Sequence, residues 1–124
     1  MANFVDIGKN IGKKLKDDKI TTSQIRKFLS AVNSVANKIQ NEDEQLNQSL
    51  ADEIQYIRIK LAYQAGREDI PKEYKERPNE FGLHYLQNNL DEALKKIGNS
   101  KSEFEKFNRL VESIVAYHKF YGGK

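Results

Sequence analysis

Apolar residues recur along this chain at three- and four-residue intervals in every long segment, and no stretch alternates in the way a sheet requires. That one period confines the fold to an all-α class, a single bundle of about five helices over residues 1–124. Phe4 to Leu15 places apolar residues at 4, 7, 11 and 15, a short helix (about 3–16) weakened by Gly8 and Gly12. Thr21 and Gln24 form a capping-box pattern that opens a second helix through Ile25, Phe28, Leu29, Val32, Val35, Ala36 and Ile39. The acidic run Glu42 to Glu44 is expected to begin a third helix, with Gly66 as its left-handed terminator. A fourth runs from about Phe81 to Ile97 and stops at Gly98. Ser100 and Glu103 make a second capping box, opening a fifth helix that ends before Gly122-Gly123. Both prolines, Pro71 and Pro78, fall in the polar connector of residues 68–79, which is expected to be a mobile or partner-ordered loop.

Composition narrows the chemistry. With 124 residues and 38% hydrophobic content the chain can build one modest core under a charged surface. It has no cysteine, which removes disulfides, thiolate metal sites and thiol nucleophiles together. No apolar run is long enough to span a bilayer. Residues 1–19 lack the apolar middle and cleavage site of a signal peptide, so a soluble, cytoplasmic protein without membrane contact is expected.

A catalytic constellation is equally hard to find. His84 and His118 lie in different helices without metal-ligand spacing, and His118 near a helix end suits a carbonyl partner. Asp52-Glu53 and Asp91-Glu92 are neighbours that diverge by about 100° on a helix and cannot clamp one substrate. There is no phosphate-cradling glycine loop and no nucleophile elbow. No catalytic residue, metal site or cofactor is expected, and the chain reads as a non-enzyme.

The net charge of +3 is too small to argue a polyanionic partner, but its distribution says more. Residues 41–53 carry five acids and no base, whereas 54–67 carry three cations and no acid. Residues 114–124 are again free of acids. Such blocks present one basic patch, although the helix macrodipole accounts for the same residues. Within 54–67, Tyr56, Lys60, Tyr63 and Arg67 form one stripe, and Leu50, Ile54, Ile57, Leu61 and Ala65 fall opposite, facing a core. The stripe suits a nucleic-acid backbone. A solvated helix face with amphipathic tyrosines accounts for it as well, and each tyrosine either stacks a base or covers an inter-subunit contact. Arg58, at the seam's margin, is a candidate cation or an internal ion-pair partner. Lys106 and Arg109 extend the basic surface unless Glu105 and Glu112 neutralise them.

Three stretches carry a family resemblance. They are Thr-Thr-Ser-Gln-Ile-Arg-Lys-Phe at 21–28, Leu-Ala-Tyr-Gln-Ala-Gly-Arg at 61–67, and His-Lys-Phe-Tyr-Gly-Gly-Lys at 118–124. In this order they resemble the small helical subunit of the type III-A CRISPR effector, the Csm complex, from about Ile20 onward. Residues 1–19 and 68–81 are the variable parts. The resemblance implies a non-catalytic protein of roughly five helices, several copies of which stack beside the backbone subunits of a guide-RNA ribonucleoprotein used in antiviral defence. Its partners are guide RNA, target RNA, the backbone and large subunits, and further copies of itself. RNA cleavage falls to the backbone subunit; DNA cleavage and cyclic oligoadenylate synthesis fall to the large one. The contacts it implies are Arg26 and Lys27 in the first stretch, Arg58 and Lys60 just before the second, Arg67 closing it, and Lys119 and Lys124 in the third. With Tyr63, Lys106 and Arg109 these form the expected RNA surface. The rival expectations are a helical homo-oligomer that binds no nucleic acid and, less suited to these turns, a helix-turn-helix DNA binder.

Overall fold

The computed structural model describes residues 3–124, so the first two positions of the expected 1–124 domain lie outside the described residues. Among the described residues five α-helices follow one another: α1 (Phe4–Asp17), α2 (Arg26–Lys38), α3 (Gln48–Gly66), α4 (Gly82–Ile97) and α5 (Lys101–Phe120). Short 3-10 turns occupy Thr22–Ile25, Lys72–Tyr74 and Pro78–Glu80, and there is no strand among the described residues. The expected all-α class is the observed one.

The core follows the apolar period. On α3 the buried residues are Leu50, Ile54, Ile57, Leu61 and Ala65, the seam anticipated from spacing. They meet Phe28, Val32 and Val35 of α2, Leu83, Leu86, Leu90 and Leu94 of α4, and Phe104, Phe107, Val111 and Ile114 of α5 in one continuous cluster. The ion pair Lys38–Glu53 joins the end of α2 to the start of α3. Gln55 reaches the Leu94 carbonyl and Arg58 reaches Asp91, so α2, α3 and α4 run alternately up and down. The helix α1 instead runs parallel to α5, Gly8 lying against Ser113 and Gly12 against the backbone of Ile114 to His118.

That last contact corrects one expectation. Phe4 and Ile7 do not point inward; they are 43% and 37% exposed, while Gly8 and Gly12 are buried with Ile11 and Leu15. The two glycines are the contact surface of α1, because a missing side chain lets two helix backbones approach closely.

The third helix also starts later than the acidic run suggested. It begins at Gln48, where the Asn47 side chain accepts from the Leu50 N–H at 2.9 Å. Glu44 is engaged elsewhere. Its carboxylate takes the hydroxyls of Ser100 (2.6 Å) and Ser102 (2.9 Å) and the Ser102 N–H (3.0 Å), and its carbonyl takes the Lys101 N–H. Those bonds, the Ser100 hydroxyl first, hold the Glu44 carboxyl below the ordinary carboxylate range. The Ser100 hydroxyl accepts from the Glu103 N–H, so half of the expected box forms and Glu44 supplies the rest of the α5 cap.

At the other junctions, the Thr21–Gln24 box forms as expected, Gln24 accepting from the Thr21 N–H at 2.8 Å, but on a 3-10 turn that leads into α2. Gly98 takes a left-handed φ of 58° at the end of α4. Gly66 does not: only Gly82, Gly98 and Gly122 among the described glycines have positive φ, and α3 ends with the Arg67 N–H on the Tyr63 and Gln64 carbonyls. The 68–79 connector is pinned in place. The Glu68 side chain, 3% exposed, caps α4 by accepting from the N–H groups of Leu83 (2.8 Å) and His84 (3.3 Å) and from His84 Nδ1 (2.9 Å). The Tyr74 ring packs on Phe81 at 5.1 Å. His118, 4% exposed, donates from Nε2 to the Ile20 carbonyl at 2.6 Å, tying the end of α5 to the α1–α2 link.

Candidate nucleic-acid interface

Between the outer faces of α2 and α3 runs a furrow of about 800 Å³. One wall is α3, where Tyr56, Ile59, Lys60 and Tyr63 fall on the face opposite the core seam. The other is α2, where Arg26, Lys27 and Lys38 flank the small residues Ser30, Ala31 and Ser34. The furrow exists because those small side chains oppose large ones. Its depth is therefore a property of α2, and its aromatic wall a property of α3.

Its electrostatics are one-sided. Arg26, Lys27, Lys38 and Lys60 line it together with a single acid, Glu53, and that acid is held by Lys38 at 2.8 Å. Lys60 Nζ lies 5.6 Å from the centre of the Tyr56 ring, and the Arg67 guanidinium 5.8 Å from that of Tyr63. The rings remain 54% and 60% exposed, and Ile59 between them 59%. A row of fixed positive charge beside wet aromatic surface can receive an anionic, partly planar ligand.

The expected RNA surface is only partly brought together. Arg26, Lys27, Lys60 and Tyr63 line the furrow, and Arg67 flanks it over the Tyr63 ring. Arg58 takes the alternative weighed for it. Its guanidinium bonds both Asp91 oxygens on α4, at 2.8 and 2.9 Å, and this pairing raises Arg58 and holds the Asp91 carboxyl below the usual carboxylate range. Two residues before Lys60, it points to another side of the same helix. Lys106, Arg109 and Lys119 are exposed on α5, outside the furrow, and Lys106 meets Glu103 at 3.3 Å. Lys38, Ser30, Ala31, Ser34 and Ile59 were not anticipated. The spacing 27, 31, 34, 38 on α2 repeats the helical rhythm of the α3 stripe, and that second stripe was the readable signal for Lys38.

Among the described residues, no group of three or more histidine and acidic side chains comes together as a metal site, and no helix is long and apolar enough to cross a membrane. Fold and furrow define a small all-α protein with an open, basic, tyrosine-lined surface between α2 and α3. Residues 1–124 match the family described as Csm2 Type III-A. The "CRISPR system Cms protein Csm2" of Streptococcus thermophilus is 36% identical, aligned over 98% of this chain and 93% of its own length. That of Enterococcus italicus is 35% identical over 82% of this chain and 68% of its own length, and that of Mycobacterium tuberculosis 29% identical over 96% and 89%. The chain belongs to the Csm2 family of type III-A CRISPR systems, the small-subunit family its three sequence stretches resembled.

Proposed function

We propose that this chain acts as a single-domain, non-catalytic small subunit of a type III-A RNA-guided effector, holding the backbone of paired guide and target RNA along the α2–α3 furrow. The observation that carries this reading is the furrow's charge: four cations and one acid, the acid already paired. Family membership and the relatives' names as CRISPR system proteins support the setting. Sequence-independent holding of RNA needs cations on phosphates, since base pairing with the guide supplies the specificity. Arginine offers a phosphate two parallel hydrogen bonds, and lysine a mobile point charge. About three phosphate contacts give a slope in log affinity against log salt near −2 where the RNA is single-stranded and about −2.7 where it is paired. One copy therefore binds weakly, and several copies in an array, seated beside backbone and large subunits, gain about 100-fold or more by avidity. The furrow's lining holds no acid–base pair to cut what it binds, because its carboxylate is committed to Lys38.

The test replaces Lys60 and Arg67 together by alanine in the assembled complex. Both are exposed, so helical content is expected to stay as in the parent while RNA is lost from the complex at lower salt. Unchanged retention across the salt series removes the stripe from the interface.

A further inference from the structure

Phosphate binding explains the cations of the furrow but not its shape or its apolar wall. A convex helix face studded with lysines is enough to hold a backbone, and needs neither a depression nor exposed aromatic surface. Here the two walls are unequal. Ser30, Ala31 and Ser34 recede along α2, while Tyr56, Ile59 and Tyr63 stand up from α3. Ile59 is the most telling of these, a branched apolar side chain left 59% exposed between two half-exposed tyrosines. A phosphate gains nothing from that surface. A nucleobase does, because every base offers a flat apolar face that stacks on an aromatic ring and covers its neighbours. The volume, about 800 Å³, falls in the range of about 300–1,000 Å³ typical of pockets that enclose small organic ligands.

We infer that the α2–α3 furrow seats the base of an unpaired nucleotide, stacked on the Tyr63–Ile59–Tyr56 wall over the Ser30–Ala31–Ser34 floor, with its flanking phosphates on Arg26 and Lys60. The inference rests on the RNA reading above and adds to it one nucleotide that has left the pairing, since bases stacked within a duplex cannot enter while its backbone can still lie on the furrow's cations. The charge of the lining selects a polyanion over an apolar protein segment. No hydrogen-bonding edge is required, so the seat is indifferent to which base fills it. The ring, not the phenol hydroxyl, provides the stacking surface, so phenylalanine at position 63 serves equally.

The full chain is titrated with a single-stranded RNA carrying one 2-aminopurine, with the same strand made abasic there, and with the fully paired duplex. Binding is followed by anisotropy and by quenching of 2-aminopurine. Quenching is expected with the parent and with Tyr63→Phe. Tyr63→Ala and Ser34→Leu, both at exposed positions where the fold is not at stake, are expected to weaken binding about five-fold or more without changing the salt slope. Lys60→Ala is expected to flatten the slope by about 0.7. If the abasic strand binds as tightly and Tyr63→Ala changes nothing while Lys60→Ala still weakens binding, the base seat is refuted and the backbone reading stands. If no RNA binds even at about 50 mM salt and the Lys60→Ala, Arg67→Ala pair leaves RNA retention by the assembled complex unchanged, both fall. If the tyrosine and serine variants alter self-association but not RNA binding, the furrow receives a protein and the inference is overturned.

Discussion

Replacing Gly12 by alanine adds one methyl group at the point where α1 lies closest to α5. A Cβ built there meets the Ile114 carbonyl oxygen at 2.7 Å, the His118 nitrogen at 2.8 Å and the Tyr117 carbonyl carbon at 3.1 Å. All three are backbone atoms of a helix and cannot rotate aside, so α1 has to move as a body. Overpacking of this kind costs about 1–3 kcal/mol, and a rigid backbone obstacle argues for the upper part of that range. Against this stands the helix-propensity gain of alanine over glycine, about 0.8–1.0 kcal/mol. The net loss is about 1–2 kcal/mol, which for a chain of this size corresponds to a fall in Tm of about 4–10 °C.

Gly66→Ala is the matched control. Gly66 is also helical, but nothing lies within 4 Å of a Cβ added to it and its φ is not positive, so only the propensity gain remains. Urea unfolding of both variants, followed by far-ultraviolet circular dichroism, is expected to move their midpoints in opposite directions. If Gly12→Ala unfolds at or above the parent's midpoint while Gly66→Ala behaves as described, α1 does not sit this close to α5. The reading of the glycines as a contact surface would then be wrong.

Two further perturbations probe the connections that position the furrow. Glu68→Ala removes the acceptor for two α4 N–H groups and for His84, and is expected to cost about 1–2 kcal/mol with faster hydrogen exchange at Leu83 and His84; unchanged exchange there refutes the cap. Asp91→Asn weakens the two-point pair with Arg58, and because both side chains are about a third exposed the expected cost at neutral pH is only about 0.5–1 kcal/mol. The Asp91 carboxyl is depressed in the fold, so its stabilisation is complete above its unfolded value of about 3.9 and is lost as pH falls through that value and the folded one. The urea midpoints of parent and variant should therefore converge only below about pH 4, and a gap that persists there refutes the assignment to this pair.

What the sequence made legible is what a single helix decides by itself. The α3 seam and the stripe behind it follow from one periodicity, and both are where the spacing put them. The misplaced features depend on a second element. Glu42 to Glu44 read as a helix start because acids favour N-termini, yet the Glu44 carboxylate caps α5, more than fifty residues away. Glu68 likewise sat in a connector that looked loose, and its buried bonds to α4 have no local sequence signature. Of the candidate interface, the α3 wall was readable, whereas the α2 floor was not, since serine and alanine on a helix surface say nothing until it is known what faces them.

Gly8 and Gly12 on α1 and Ser30, Ala31 and Ser34 on α2 are comparable runs of small residues at helical spacing, and the fold uses them in opposite ways. On α1 the partner is bare helix backbone, so removing side-chain bulk brings the axes together and the gap closes. On α2 the opposing wall is Tyr56, Ile59 and Tyr63, whose bulk stands outward, so the same lack of bulk leaves a furrow open. Cations divide by the same logic. Arg58 and Lys60 are two residues apart on α3, a rotation of about 200°, which gives the first to Asp91 and the second to the furrow. The role of a small or charged residue on these helices is set by the helix opposite, so an interface of this kind is specified by pairs of faces and not by any one motif.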